Sequence, residues 1–300
     1  MKTTAPRLRH NLCLAACTLL LAGIVALTGT ATAATLMFDF GGRTLTEADL
    51  TNSPLHAANP TFDDTYWNAP VYNTAGAQSV RYSDNTAATG VSIYVGRSAG
   101  GANPWTSITF AGTPSNFLSL AGNKTGVFTN ETSIGRDGIR AQSSTPQTEY
   151  LVAVAITGLA AGTYDLYLVG INVDAAHPMK FWATEGSLSN TSQPLNNNAN
   201  NFDASTFITA GPQATSSNNV TDSWSQNSNF VKLSVTLSGE ANSYLTIFAL
   251  GDGSAGGDPR GILNAIQIVS QIPEPATIAT FAGLAIFFTA FFIRRIRRNS

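Results

Sequence analysis

Few side chains of this sequence have the type and spacing needed for acid–base or metal chemistry. The three histidines are His10, His56 and His177. They form no paired-histidine zinc spacing, and no Gly-x-Ser-x-Gly turn supplies a serine nucleophile. We therefore interpret His56 and His177 as solvent-exposed loop residues, and we assign no catalytic residue, no cofactor and no metal ligand.

Carboxylates are the other candidates, because a glycosidase needs only two of them. Asp63 and Asp64 lie shortly before Tyr66 and Trp67, with one residue between the two pairs. Adjacent residues of an extended chain point in opposite directions, so this pair cannot flank one glycosidic bond, and we expect it to cap a strand end or turn. Residues 252–258 offer oxygen ligands for Ca²⁺ in a flexible loop, but a glycine-rich connection before the last strand explains them equally well.

Tryptophans next to polar residues suggest binding of a sugar. Trp67 with Asn68, and Trp224 in a polar stretch, could present a flat ring for stacking beside groups that bond hydroxyls. We take these three as candidate ligand-binding residues. Trp182 is expected in the core and Trp105 at the entry of a strand. The alternative is that all four tryptophans are packing residues.

The elements that would position these residues are predicted to be strands. Good helix formers are scarce between residues 34 and 271, and residues 230–237 alternate apolar and polar side chains as a half-buried strand does. Polar, loop-like stretches cover 187–201 and 216–229, and loops often carry binding sites. The sequence predicts strands within 35–40, 91–95, 106–110, 149–157, 163–171, 179–183, 230–237, 244–250 and 262–269. The expected fold is all-β, a single β-sandwich.

The sequence between residues 34 and 271 resembles jelly-roll and galactose-binding-like domains. The resemblance is carried by 37–42, by 66–68, by a glycine-bounded hairpin at 158–168 and by a closing strand at 261–268. It implies a jelly-roll sandwich of the kind found in surface proteins that handle carbohydrate.

The first 33 residues have the parts of a secretory signal peptide. A basic start at Lys2, Arg7 and Arg9 precedes an apolar run over 12–27, and an Ala-x-Ala exit ends at Ala33. Cleavage is expected there or one residue later. A lipoprotein box at 14–17 is the alternative, although Cys17 lies inside the apolar run. Both cysteines, Cys13 and Cys17, belong to this leader, so the mature chain has no disulfide and no thiolate.

The sequence of residues 272–300 predicts a membrane-spanning segment. Pro273, Glu274 and Pro275 precede 18 uncharged residues, 276–293, at the short limit for a spanning helix. A basic cluster at 294–298 follows and should remain in the cytoplasm, which places the ectodomain, 34–271, outside. Its arginines are Arg294, Arg295, Arg297 and Arg298. An ordinary stop-transfer anchor is the alternative.

This order of Pro-Glu-Pro, short helix and arginine cluster resembles the PEP-CTERM sorting signal. The resemblance implies a partner, the integral-membrane enzyme exosortase, which would cleave near the motif and release the protein to the cell surface. It also implies a Gram-negative bacterium that makes exopolysaccharide.

The charge of the predicted ectodomain argues against a nucleic-acid partner. It carries nine of the 16 Lys and Arg residues and 17 of the 18 Asp and Glu residues, a net charge of about −8. We expect a non-enzymatic surface or matrix protein associated with exopolysaccharide. The alternatives are a carbohydrate-binding module and a secreted hydrolase with an unrecognised active site.

Overall fold

The described part of the chain forms one compact unit, Ala34–Gln271. The computed structural model describes residues 34–41, 50–71, 77–98, 108–109, 115–117, 126–128, 134, 138–141, 151–171, 178–187, 213–216, 222–240, 243–251 and 260–271. The predicted signal peptide and the whole predicted sorting signal, 272–300, lie outside these residues. Within the described ranges, no helix has the length and apolar character needed to cross a membrane.

Strands make up most of the described structure. They are β1 (Thr35–Asp39), β2 (Gln78–Arg81), β3 (Ala87–Ser98), β4 (Ile108–Thr109), β5 (Ser115–Phe117), β6 (Gly138–Arg140), β7 (Val152–Thr157), β8 (Gly162–Val169), β9 (Met179–Ser187), β10 (Gln213–Ser216), β11 (Val231–Leu237), β12 (Ser243–Gly251), β13 (Ile262–Leu263) and β14 (Ala265–Ser270). Helical structure in the same ranges is limited to the five-residue helix α1, Pro54–Ala58, and a 3₁₀ turn, Gly126–Phe128. The all-β prediction is confirmed.

The strands pair antiparallel in three sheets. The four-stranded sheet has the order β1-β14-β8-β11. The large sheet has the order β10-β9-β12-β7-β3-β2, with β4 added beside β3. A small sheet has the order β13-β6-β5. Consecutive strands often lie in different sheets, so the chain crosses repeatedly between layers.

The four-stranded sheet and the large sheet share one hydrophobic core. Leu166 of β8 and Ile266 of β14 belong to the same buried cluster as Val154 of β7 and Ile247 of β12. In β11 the side chains alternate between this core and the outside, which is the period-2 pattern that predicted the strand. Strands β7 and β12 are buried on both faces, so their sequences are nearly continuous apolar runs.

A second hydrophobic cluster lies on the opposite face of the four-stranded sheet. Met37, Tyr167, Val169 and Ala265 belong to it, whereas their neighbours in sequence belong to the shared core. Residues of the β1–β2 connection and of later segments complete this cluster; they are Leu50, Leu55, Trp67, Val127, Phe128, Ile134, Ile171 and Phe230. The candidate site residues Trp67 and Trp224 are therefore positioned by this outer layer.

Two sequence predictions about connections were wrong. The expected hairpin at 158–168 is absent, because β7 and β8 pair with strands of different sheets. The turn instead carries the chain from the large sheet to the four-stranded sheet. Gly158 has φ 78°, and its α-carbon lies so close to the carbonyl of Gly90 that a Cβ would be 2.0 Å from that oxygen. The predicted closing strand is interrupted at the fully buried Asn264, and its two parts, β13 and β14, lie in different sheets.

Candidate functional site

Trp67 lies inside the outer hydrophobic cluster. Its side chain is 0% exposed, and the indole N–H donates to the carbonyl of Leu50 at 2.9 Å. A buried tryptophan normally satisfies its N–H in this way. The burial corrects the expectation that Trp67 offers a ring face to solvent, and stacking of a sugar there has no support in the structure.

Asn68, 8% exposed, joins the edges of the two main sheets. Its side-chain amide donates to the carbonyls of Met37 in β1 and Arg81 in β2, at 3.0 and 2.8 Å. Its Oδ1 accepts from the backbone N–H of Arg81 at 2.8 Å. Its own backbone bonds to Met37 and Asp39. Each polar group of Asn68 is thus used within the fold, which agrees with the packing alternative for the Trp67–Asn68 pair.

Trp224 is the candidate tryptophan that stays partly exposed. Its ring meets those of Phe128 and Phe230 edge to face, with centroids 5.3 and 6.3 Å away. The indole N–H donates to Asn52 Oδ1 at 2.9 Å. The loop around it is built on Asn229, whose side chain accepts from the Ser225 N–H and donates to the Ser223 carbonyl. An ordered loop therefore presents this ring.

Polar side chains surround the exposed part of the Trp224 loop. Four neighbours in sequence are exposed: Asp222, Ser223, Ser225 and Gln226. A partly exposed aromatic ring beside carboxylate, hydroxyl and amide groups has the composition expected for contact with a sugar. Phe128 contributes to this site, and no local sequence signal linked it to Trp224, nearly one hundred residues away.

Ser53 and His56 form a close pair that the sequence analysis did not predict. Ser53 Oγ lies 2.5 Å from His56 Nδ1, and His56 Nε2 lies 3.3 Å from the carbonyl oxygen of Asp64. Since a carbonyl can only accept, Nε2 carries the proton, and Ser53 donates its hydroxyl proton to Nδ1. The Ser-Pro sequence at 53–54 was the available signal, because such a pair is typical of a helix start.

The burial of Ser53 explains this pair structurally. Ser53 is 1% exposed, caps α1 and accepts from Gln267 Nε2 at 2.9 Å, so a substrate cannot reach its oxygen. His56 is half-buried, which corrects its prediction as an exposed loop residue. Burial lowers the pKa of His56 and outweighs the opposing effect of the Asp64 carbonyl and carboxylate. The pair stabilises the loop that covers the four-stranded sheet.

The side chains of the two adjacent aspartates lie in different environments, as expected. Asp63 is exposed, and Asp64 is half-buried with its Oδ2 accepting from Ser83 Oγ at 3.0 Å. Asp64 thus ties the segment before Trp67 to the turn after β2. This contact agrees with the expected capping role.

Four aromatic residues share the outer face of the large sheet. Trp182 lies beside Phe248 and Tyr244 beside Gly186 in the β9–β12 register, and Tyr94 faces Ala155 across β3 and β7. All four rings are buried. The prediction of Trp182 as a core residue is confirmed, while the other three were not singled out, because they lie in runs that are apolar on both faces.

Asp165 of β8 is a buried carboxylate that accepts from three side chains. It is 5% exposed and accepts from Lys232 Nζ at 2.7 Å, from Ser234 Oγ and from Gln271 Nε2. Burial by itself would raise the pKa of Asp165, but these donors, Lys232 first, outweigh it and hold the pKa below its usual value. Asp165 is therefore ionised at neutral pH.

Several predicted features fall outside the described residues. These are His177, Trp105, the loop 252–258, the motif Pro273-Glu274-Pro275 and the arginines at 294–298. Among the residues that are described, no three His, Cys, Asp or Glu side chains are grouped closely enough to hold a metal ion. Comparison of the chain with models of known protein families and with curated protein sequences found no match.

Proposed function

We propose that this chain is an exported surface or extracellular-matrix protein without enzymatic activity, sorted through a PEP-CTERM-type tail. The observation that carries the proposal is the order of Pro273-Glu274-Pro275, an uncharged stretch and a terminal arginine cluster, after a leader with signal-peptide features. The membrane partner is an exosortase-type enzyme. Before processing, the helix over 276–293 anchors the protein in the inner membrane with the ectodomain outside.

The ectodomain is proposed to be a jelly roll. Support comes from the order in which eight strands visit the two main sheets. β1, β8, β11 and β14 lie in the four-stranded sheet, and β7, β9, β10 and β12 lie in the large sheet. This alternation is the pattern of two Greek keys folded into a double-sheet structure. In this interpretation β2 and β3 extend the large sheet.

The groups that resemble catalytic residues already have structural partners, which supports a non-enzymatic protein. The Ser53–His56 pair caps a helix, and the carboxylate of Asp165 receives three donors. Association with exopolysaccharide is the setting that the sorting signal implies.

Replacement of Pro273, Glu274 and Pro275 by alanine tests the sorting proposal. Insertion should be unchanged, because the apolar run and the arginines remain. Processing should stop, and full-length protein should accumulate in the inner membrane of the native host. Fractionation with a mass determination measures both. Release of the triple variant at the parental rate would show that the helix is an ordinary anchor.

A second candidate function is carbohydrate recognition at Trp224. The observation in its favour is the ordered loop that leaves this ring partly exposed among polar side chains. On a glycan array the parent should bind, Trp224→Ala should lose binding, and Trp224→Phe should retain part of it because an aromatic ring still packs on Phe128 and Phe230. Equal binding by the alanine variant would exclude this site. Release of soluble sugar from polysaccharide would instead indicate a hydrolase.

A further inference from the structure

The last described residue, Gln271, is held to the body of the ectodomain at two points. Its backbone N–H donates to the carbonyl of Thr163 at 2.7 Å, just beyond the end of β14. Its side-chain Nε2 donates to Oδ2 of Asp165. An exposed residue after the end of a strand usually has little to hold it. Here two hydrogen bonds to β8 hold it.

The acceptor of the second bond is itself rigidly placed. Asp165 is buried against Lys232 and Ser234 of β11. Lys232 also lies over the ring of Tyr167, 5.3 Å from its centroid. Hydrogen bonds that involve an ionised group are shorter and stronger than neutral ones. The contact between Gln271 and Asp165 therefore resists fraying of the chain end.

The predicted sorting motif begins almost at this attachment. Ile272 is the one residue between Gln271 and Pro273. Two residues of fully extended chain reach about 7 Å. The preceding residue is held as well, because the Ser270 N–H donates to the carbonyl of Ala34 at 3.1 Å. The motif thus starts within about 7 Å of a folded end, with one residue between them.

Enzymes that act on peptides commonly bind an extended segment, with backbone hydrogen bonds to the residues around the recognised side chains. At this end of the ectodomain, the backbone N–H groups of Ser270 and Gln271 are already engaged with Ala34 and Thr163. Residues on the amino-terminal side of the motif become available to a cleft only when this end detaches from β8.

We propose that the hydrogen bonds of Gln271 to Asp165 and Thr163 form a C-terminal latch that limits the rate of tail processing. This inference rests on the proposed sorting function and adds a regulatory element within the ectodomain. Asp165 acts as a positioning residue, since it holds the chain end through Gln271. A strong latch keeps the protein anchored for longer, and a weakened one releases it sooner.

The test measures the rate of processing in the native host by pulse–chase labelling of the full-length chain. Gln271→Ala removes one latch bond and touches no core residue, so it should fold as the parent does. A charge-assisted hydrogen bond at a partly exposed position changes the population of a detached end by about five- to tenfold, and processing should accelerate to that extent. Asp165→Asn should act in the same direction.

Two further variants separate the latch from a general effect on folding. Glu185→Gln is the matched control, because this carboxylate accepts from the backbone and hydroxyl of Ser238 and does not contact Gln271. Its processing rate should equal that of the parent. Insertion of Gly-Ser-Gly-Ser between Gln271 and Ile272 should accelerate processing as much as Gln271→Ala, and the two changes together should add nothing.

Each outcome decides between the two proposals. Unchanged or slower processing of Gln271→Ala, with the parent processed normally, overturns the latch and leaves the sorting function intact. Full additivity of the insertion and Gln271→Ala also overturns it, because the latch would then act elsewhere than on access to the motif. Absence of processing in the parent overturns the sorting function, and the latch with it.

Discussion

Asn68→Ala should destabilise the folded unit, residues 34–271, by about 2–3 kcal/mol, because three side-chain hydrogen bonds disappear at about 1 kcal/mol each. Two of them reach Arg81 in the edge strand β2, and the third reaches Met37 in the edge strand β1. The Met37 carbonyl keeps its bond from the Asn68 backbone, so it is not left unpaired. The Arg81 backbone groups lose their partners near solvent, where water replaces part of the bonding energy.

Asn68→Asp should be at least as destabilising at neutral pH. A carboxylate can still accept from the Arg81 N–H, but it would place negative charge against two carbonyl oxygens that now receive the amide. The deficit should shrink toward acid pH, where the protonated group donates one hydrogen bond again. Alanine shows no such pH dependence.

Urea unfolding of residues 34–271, followed by far-UV circular dichroism, measures the stability of both variants, with the slope m expected to stay constant. Asn59→Ala is the matched control, since its exposed side chain only accepts from Thr61 at 2.8 Å, and it should cost less than about 0.5 kcal/mol. If Asn68→Ala lowers the free energy of unfolding by no more than this control does, the hydrogen bonds of Asn68 do not stabilise the contact between the two sheets. Asn68 would then again be a candidate ligand-binding residue.

Three further outcomes are expected. Gly158→Ala should destabilise the folded unit by more than Gly90→Ala, because both glycines have positive φ but only at Gly158 would a Cβ meet a backbone oxygen. Equal free energies of unfolding for the two variants in urea would refute the close approach. The pKa of Asp165 is lowered in the fold, so its carboxylate stabilises the folded state fully above the unfolded pKa of about 3.9. This stabilisation is lost as the pH falls through the folded pKa. The free energy of unfolding of Asp165→Asn should therefore depend less on pH between about 5 and 3 than that of the parent. The pKa of His56 is also lowered, so the fold should weaken as pH falls below about 6.5, and His56→Gln should remove that slope, as thermal unfolding at several pH values would show.

Strand content was predictable from local sequence, and pairing was not. Residues 230–237 alternate in polarity because β11 has one face in the core and one in solvent, so its period is visible in the chain. The partners of β7 and β8 depend on contacts with β12, β3, β11 and β14, which lie far away in sequence. A glycine-rich turn between two strands is compatible with a hairpin or with a crossover between sheets. The packing of the two sheets selects the crossover.

The candidate sugar site shows the same division. Trp67-Asn68 and Trp224 have similar polar neighbours in the sequence, so local composition could not distinguish them. The fold buries Trp67 within the outer hydrophobic cluster and engages Asn68 with two sheet edges, while Trp224 stays partly exposed over Phe128. Burial of a side chain depends on residues that are distant in the sequence, so a short motif does not reveal it.

By itself the sequence determined the all-β character of residues 34–271 and the expectation of two hydrophobic terminal signals, because strand periodicity and apolar run length are properties of neighbouring residues. Only the tertiary structure decided that Ser53 and His56 meet and that Asp165 of β8 holds Gln271, two residues before the predicted sorting motif. The Asp165–Gln271 contact joins residues 106 positions apart. Its existence depends on the register of β8 with β14, which hydrophobic packing across two sheets establishes.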